Sequence, residues 1–88
     1  MRLSQDKKNR IIEQILSFLY HSFPEEPFTA QIAREVVRDE EYVKQLLYEL
    51  KEKGLITPIV KNKNGEPFTR RVRWRLSTKV YEVYKSRQ

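Results

Sequence analysis

The chain has 88 residues, a size at which one domain forms and only about 60% of the unfolded surface is buried. Apolar residues make up 39% and charged residues 34%, a globular rather than disordered balance, and the absence of cysteine excludes a disulfide staple or thiolate metal site and suits a reducing compartment. The net charge of +6 is uneven: residues 24–54 hold 5 basic and 8 acidic side chains, while residues 55–88 hold 9 basic and 2 acidic ones.

A first helix is predicted from about Gln5 to Tyr20, with Ser4 as N-cap and Asp6 at the positive end of the helix dipole. Ile12, Ile15, Leu16 and Leu19 have the spacing of one buried face. Ile11, Phe18 and Tyr20 widen that face past half the circumference, and a helix apolar that far round touches two surfaces. The second surface is either a dimer partner or the chain's own C-terminal helix. His21, the lone histidine, falls at the helix end, where it complements the dipole and can bond a free carbonyl. Without a second histidine or a cysteine it points to no metal site.

The segment Ser22 to Phe28, SFPEEPF, ends this helix with two prolines. Phe28 followed by Thr29 fits a very short strand leading into a threonine-capped second helix, from about Ala30 to Val37. Ile32, Ala33 and Val36 form its buried stripe, with Val37 at the margin. Small Ala33 permits a close helix crossing. Asp39 then caps a third helix whose Val43, Leu46, Leu47 and Leu50 follow the i, i+3, i+4, i+7 pattern without a break. Lys53-Gly54 ends it, with Gly54 in the left-handed position and Leu55 as the hydrophobic residue after it.

A hairpin follows. Ile56 to Lys61 is the outgoing strand, with Pro58 on an edge, and Asn64-Gly65 marks the turn. On the return strand, from about Thr69 to Leu76, alternation sends Val72, Trp74 and Leu76 inward and Arg71, Arg73 and Arg75 outward. Ser77 or Thr78 caps a last helix to about Ser86, which packs back through Val80, Val83 and Tyr84. No apolar run reaches the roughly 18–20 residues of a membrane span, and the N-terminus lacks the apolar core of a signal peptide. A cytoplasmic location is therefore expected.

The string FTAQIAREVVRDEEYVKQLLYELKEKGLI, with the basic hairpin around NGEPFTRRVRWRLS, resembles winged helix-turn-helix domains of archaeal and bacterial transcription regulators. The likeness spans about residues 28–77, and with both terminal helices nearly the whole chain. It implies an α+β fold forming a single domain over residues 1–88: helix-turn-helix at 29–53, wing at 56–76 and C-terminal helix at 77–86. It also implies a third helix in the DNA major groove, a wing on the backbone or minor groove, and a homodimer through the terminal helices. Ile11, Phe18 and Tyr81 are the expected dimer contacts. One departure concerns the third helix, whose approaching end is Asp39-Glu40-Glu41. These carboxylates repel phosphates unless each accepts a hydrogen bond, for example from a cytosine amino group. They also favour the helix dipole by a few tenths to about 1 kcal/mol each.

With the apolar face of the third helix turned inward, Lys44, Gln45 and Tyr48 lie outside and Tyr42 on a flank. Glutamine can bond adenine at two points, lysine reaches phosphate or guanine, and tyrosine hydroxyls bond phosphate. Tyr48 has a second reading, packed under the wing or in a dimer contact. On the hairpin, Lys61, Lys63, Arg70, Arg71 and Arg73 gather beside a single acid, Glu66. Alternating arginines also protect a sheet edge from aggregation, but five cations exceed that need, and arginine's planar fork suits phosphate. Trp74 is assigned to the core. Nothing supports enzyme chemistry: both glycines have local roles, no nucleophile has a base at hand, and Glu25-Glu26 is read as a solvated pair. The expected function is double-stranded DNA binding in transcription regulation, with no cofactor, metal or membrane. A protein-docking module, or an architectural DNA- or RNA-binding protein, is the alternative.

Overall fold

A computed structural model describes residues 4–61, 64–65 and 71–87. In chain order the elements are α1 (Gln5–Ser22), α2 (Thr29–Val36), α3 (Glu40–Glu52), β1 (Ile56–Ile59), β2 (Arg73–Leu76) and α4 (Thr78–Ser86). This is an α+β winged helix-turn-helix. Side-chain caps start three of the helices: Ser4 accepts from the Lys7 amide, Asp39 from Tyr42 and Ser77 from Val80. Each satisfies an amide that the first helical turn leaves unpaired.

The start of α2 differs from the expectation. Phe28, not Thr29, is the N-cap, and Phe28 donates its own amide to Gln31 Oε1 at 2.7 Å. The Thr29 hydroxyl is engaged elsewhere, accepting from the indole Nε1 of Trp74 at 2.8 Å. At the other end Val37 adopts the left-handed conformation (φ 54°) to turn the chain into α3. α3 closes as its pattern predicts: Gly54 has φ 76° and the Leu55 amide reaches back to the Leu50 carbonyl at 3.0 Å.

The hairpin strands pair antiparallel, with Ile56 opposite Leu76 and Pro58 opposite Trp74. Proline is tolerated there because Trp74 sends its amide the other way, to the Pro27 carbonyl at 3.0 Å. The expected short strand before α2 is present as a bridge between Phe28 and Arg73, supported by Thr29 N–H to the Val72 carbonyl at 3.3 Å. β2 therefore lies between β1 and the segment before α2, and the base of the wing is bonded directly to the helix-turn-helix.

The core is a single cluster in which α1 contributes Ile11, Ile15 and Leu19, α2 Ile32, Ala33 and Val36, and α3 Val43, Leu46, Leu47 and Leu50; Ile56, Trp74 and Leu76 close it from the hairpin. This corrects the phase of α1. Ile11, expected as a dimer contact, is 2% exposed and belongs to the core, whereas Ile12 and Leu16 are only partly buried. Beside the line of Ile11, Ile15 and Leu19, Ile12, Leu16 and Tyr20 form a second line of the same i, i+4, i+8 spacing, which is partly buried and carries α4 through Tyr20. α4 has no fully buried residue. It rests on α1 through aromatic contacts, with Tyr84 stacked on Tyr20 at 5.3 Å and Tyr81 against the same ring at 5.4 Å, while Phe23, the residue capping α1, meets Tyr81 at 4.6 Å. His21 Nδ1 donates to the Ser17 carbonyl at 2.8 Å, one turn back in α1.

Candidate nucleic-acid interface

The start of α2, the outer side of α3 and the base of the wing enclose a cleft of about 660 Å³. Phe28, Thr29, Ala30, Gln31 and Arg34 form its α2 wall, Glu40, Lys44 and Tyr48 its α3 wall, and Arg71 and Val72 its wing side. Three cations face one carboxylate, so the cleft is positive although α3 as a whole is acidic. Because the N-cap is a phenylalanine, no side chain caps the first amides of α2 from the front. The Thr29 amide is taken by the Val72 carbonyl and the Phe28 amide by Gln31, and Ala30 and Gln31 of the first turn line the cleft, on the positive side of the helix dipole.

Of the residues expected from the sequence, Lys44, Tyr48 and Arg71 meet in this cleft. Gln45 is exposed on the neighbouring face of α3, in a shallow apolar depression edged by Glu41, Glu49 and Glu52. Tyr42 is partly buried against the core. Tyr48 is 40% exposed and lines the cleft, and its ring meets Trp74 edge-on at 5.4 Å. Lys61 is exposed beyond the end of β1. Lys63 and Arg70 lie outside the described residues.

Arg73 departs most from strand alternation. Expected outward, it is partly buried, with its guanidinium carbon 3.9 Å from the centre of the Phe28 ring and Nη1 donating to the Glu26 carbonyl at 2.9 Å. Alternation assigns a side chain to a face of the sheet, but on that face the ring of Phe28, from the segment bridged to the edge of β2, packs against Arg73. The same segment corrects Glu26, read from the sequence as solvated: its carbonyl receives Arg73 and its carboxylate lies 3.8 Å from Arg75. Arg34 and Gln31 were not foreseen. The signal was available, since three residues apart they share one face of α2, beside the face occupied by Ile32 and Val36.

Among the described residues, no three His, Cys, Asp or Glu side chains stand together to hold a metal ion, and no helix is long and apolar enough to cross a membrane.

No protein-family model matches the chain, and no curated protein matches it. Solved structures do. A double mutant of ZitR from Lactococcus lactis superposes with a TM-score of 0.69 at 26% identity, covering 99% of this chain and 51% of that one. The crystal structure of ZitR described as a zinc-responsive MarR family member gives 0.67 at 26% identity over 99% of this chain and 52% of that one. MepR of S. aureus, in its complex with DNA, gives 0.69 at 23% identity over 96% and 54%. The chain thus spans about half the length of these proteins. They are MarR-family winged-helix transcription regulators, and the winged helix-turn-helix is common to them and this chain.

Proposed function

We propose that this chain binds double-stranded DNA and serves in transcription regulation, from a cytoplasmic location. The observation that carries the reading is the cleft, where Arg34, Lys44 and Arg71 surround the uncapped start of α2. A strand phosphate seated there would meet backbone amides at one end and guanidinium or ammonium groups on both sides. The fold shared with MepR, solved bound to DNA, supports the same reading. Lys61 adds a backbone contact, as do Lys63 and Arg70, which lie outside the described residues. Gln45 and Tyr42, near Lys44 on α3, are the candidates for reading bases, and affinity comes chiefly from phosphates.

A homodimer through α1 and α4 belongs to this proposal. Phe18 and Tyr81 are only partly buried, Phe23, in contact with Tyr81, is 50% exposed, and Val83 of α4 is 44% exposed. A partner would cover them. Sedimentation showing a clean monomer at high concentration would return these side chains to the monomer surface.

One observation favours a second reading, a protein-docking module: the depression on α3 is apolar, and its rim holds Glu41 beside Lys44, with Glu49 and Glu52 paired to Lys8 and Lys51. A single competition assay separates the two. Duplex DNA, duplex RNA and single strands are offered at low salt; duplex DNA should compete best. Equal competition by all three points to non-specific polyanion binding, and failure of all three leaves the docking module.

A further inference from the structure

Arg71 and Arg73 share one aromatic support. The Arg73 guanidinium carbon lies over the Phe28 ring, 3.9 Å from its centre, and the Arg71 guanidinium carbon stands 5.3 Å from the same centre. The ring itself is fixed. Phe28 is the N-cap of α2, donates its amide to Gln31 and bridges to Arg73 in the sheet. Around it, Trp74 bonds both the Pro27 carbonyl and the Thr29 hydroxyl, and Arg75 pairs with Glu26.

The two arginines are not equivalent. Arg71 is exposed and lines the cleft, while Arg73 is partly buried and does not line it. A guanidinium can lie on a ring with its face and donate from its edge at the same time, because its donors lie in the plane. Arg73 does both, toward Phe28 and the Glu26 carbonyl. We propose that Arg73 is a positioning residue: it clamps the base of the wing to the start of α2, and the shared ring thereby holds Arg71 at the cleft as the phosphate contact. This rests on the DNA-binding reading of the cleft.

Charge and geometry make separable predictions. Losing a direct phosphate contact lowers the slope of log affinity against log salt by about one unit, whereas losing a positioning contact lowers affinity at unchanged slope. The experiment measures binding of the full chain to a mixed-sequence DNA duplex over a salt series. Arg71→Gln should flatten the slope by about one unit. Arg73→Gln and Phe28→Leu should each weaken binding about fivefold with the slope unchanged, and the double variant should be no weaker than the worse single one. Phe28→Leu is the decisive variant because it removes no charge. If Arg73→Gln flattens the slope while Phe28→Leu binds like the wild type, Arg73 touches DNA itself and the proposal fails. Should Arg73→Gln not fold, Arg73→Lys keeps the charge and the apolar stem; it should bind more weakly at unchanged slope, and wild-type affinity overturns the clamp.

Amide exchange of Thr29 and Trp74, whose N–H groups bond across this junction, reads the clamp without DNA. Exchange should quicken in Arg73→Gln and in Phe28→Leu, and protection unchanged in both overturns the clamp. A wild-type chain that binds no duplex rejects the DNA-binding reading, and the exchange result still decides whether Arg73 holds the junction.

Discussion

Val37 is a β-branched residue in the left-handed region, at φ 54°, and it is 80% exposed. Its conformation costs about 1–2 kcal/mol for a residue with a Cβ, and its side chain recovers little of that by packing. Val37→Gly should therefore stabilise the chain by about 0.5–1 kcal/mol after the entropy glycine loses on folding. A higher denaturant midpoint with an unchanged slope is the expected result. Thr29 presents the opposite case. It accepts the only side-chain bond made by the indole of Trp74, a residue that is 0% exposed. Thr29→Val keeps the shape and strands that N–H, and should cost about 1–3 kcal/mol; Thr29→Ser should cost much less. Equal stability of the Val and Ser variants would show that the bond contributes nothing. Neither residue's role was legible in the sequence. Threonine before a helical pattern reads as a cap, and only the fold brings an indole within reach of it.

At the scale of elements, legibility followed how strongly each pattern excluded alternatives. α3 has one apolar line and a terminal glycine, so its extent and inward face were readable almost to the residue. α1 is apolar more than halfway round, and its periodicity leaves the phase open by one residue. The sequence reading seated the line through Ile12, and the core took Ile11. β2 alternates cleanly, yet alternation knows nothing of the Glu26 to Phe28 segment that pairs with its free edge, so Arg73 keeps the face opposite Trp74 but is partly buried there against the Phe28 ring. In the cleft, Lys44, Tyr48 and Arg71 were readable from their own elements. Arg34 shares with Gln31 a face of α2 that the sequence already shows, and what the sequence lacks is the arrival of the wing opposite that face. α4 also has a prediction at this scale. Its Tyr84 titrates above the ordinary 10.0, chiefly through burial against α1 and secondly through the Glu13 carboxylate, with Arg87 opposing. The folded state thus prefers the neutral phenol. The stability this contributes is complete below the unfolded value near 10 and is lost as pH rises through the raised folded value. Wild type should lose stability relative to Tyr84→Phe above about pH 10 and run parallel to it below about pH 9. A constant difference across both ranges would show that the docking of α4 does not depend on that phenol.

Across the whole molecule, charge is divided between structural parts. The helix pair is acidic and the hairpin with its flanks basic, yet the two meet in one cleft whose lining is positive. Affinity for duplex DNA should fall steeply with salt, as in any interface built on phosphates. Lys44→Ala and Arg71→Ala should each reduce the slope of that fall by about one unit and weaken all sequences about equally. Glu41→Gln, just outside the cleft, should strengthen general binding while reducing discrimination for any site that presents a cytosine amino group there. Binding to mixed-sequence duplex and to a selected site, measured side by side, checks both statements. A slope untouched by Lys44→Ala and Arg71→Ala would place the contact elsewhere on the molecule.

The chain contains one tryptophan, Trp74, sealed in the core with the ring of Tyr48 edge-on against it and the cleft on the far side of that ring. The protein thus carries its own optical gauge. Emission from a sealed indole should be blue-shifted and poorly quenched by iodide. A polyanion settling in the cleft should shift Tyr48, and with it the intensity of Trp74, without exposing the indole. Unfolding should instead move the emission to the red and admit the quencher. Occupancy and loss of structure can then be followed as two distinct signals in an unlabelled sample.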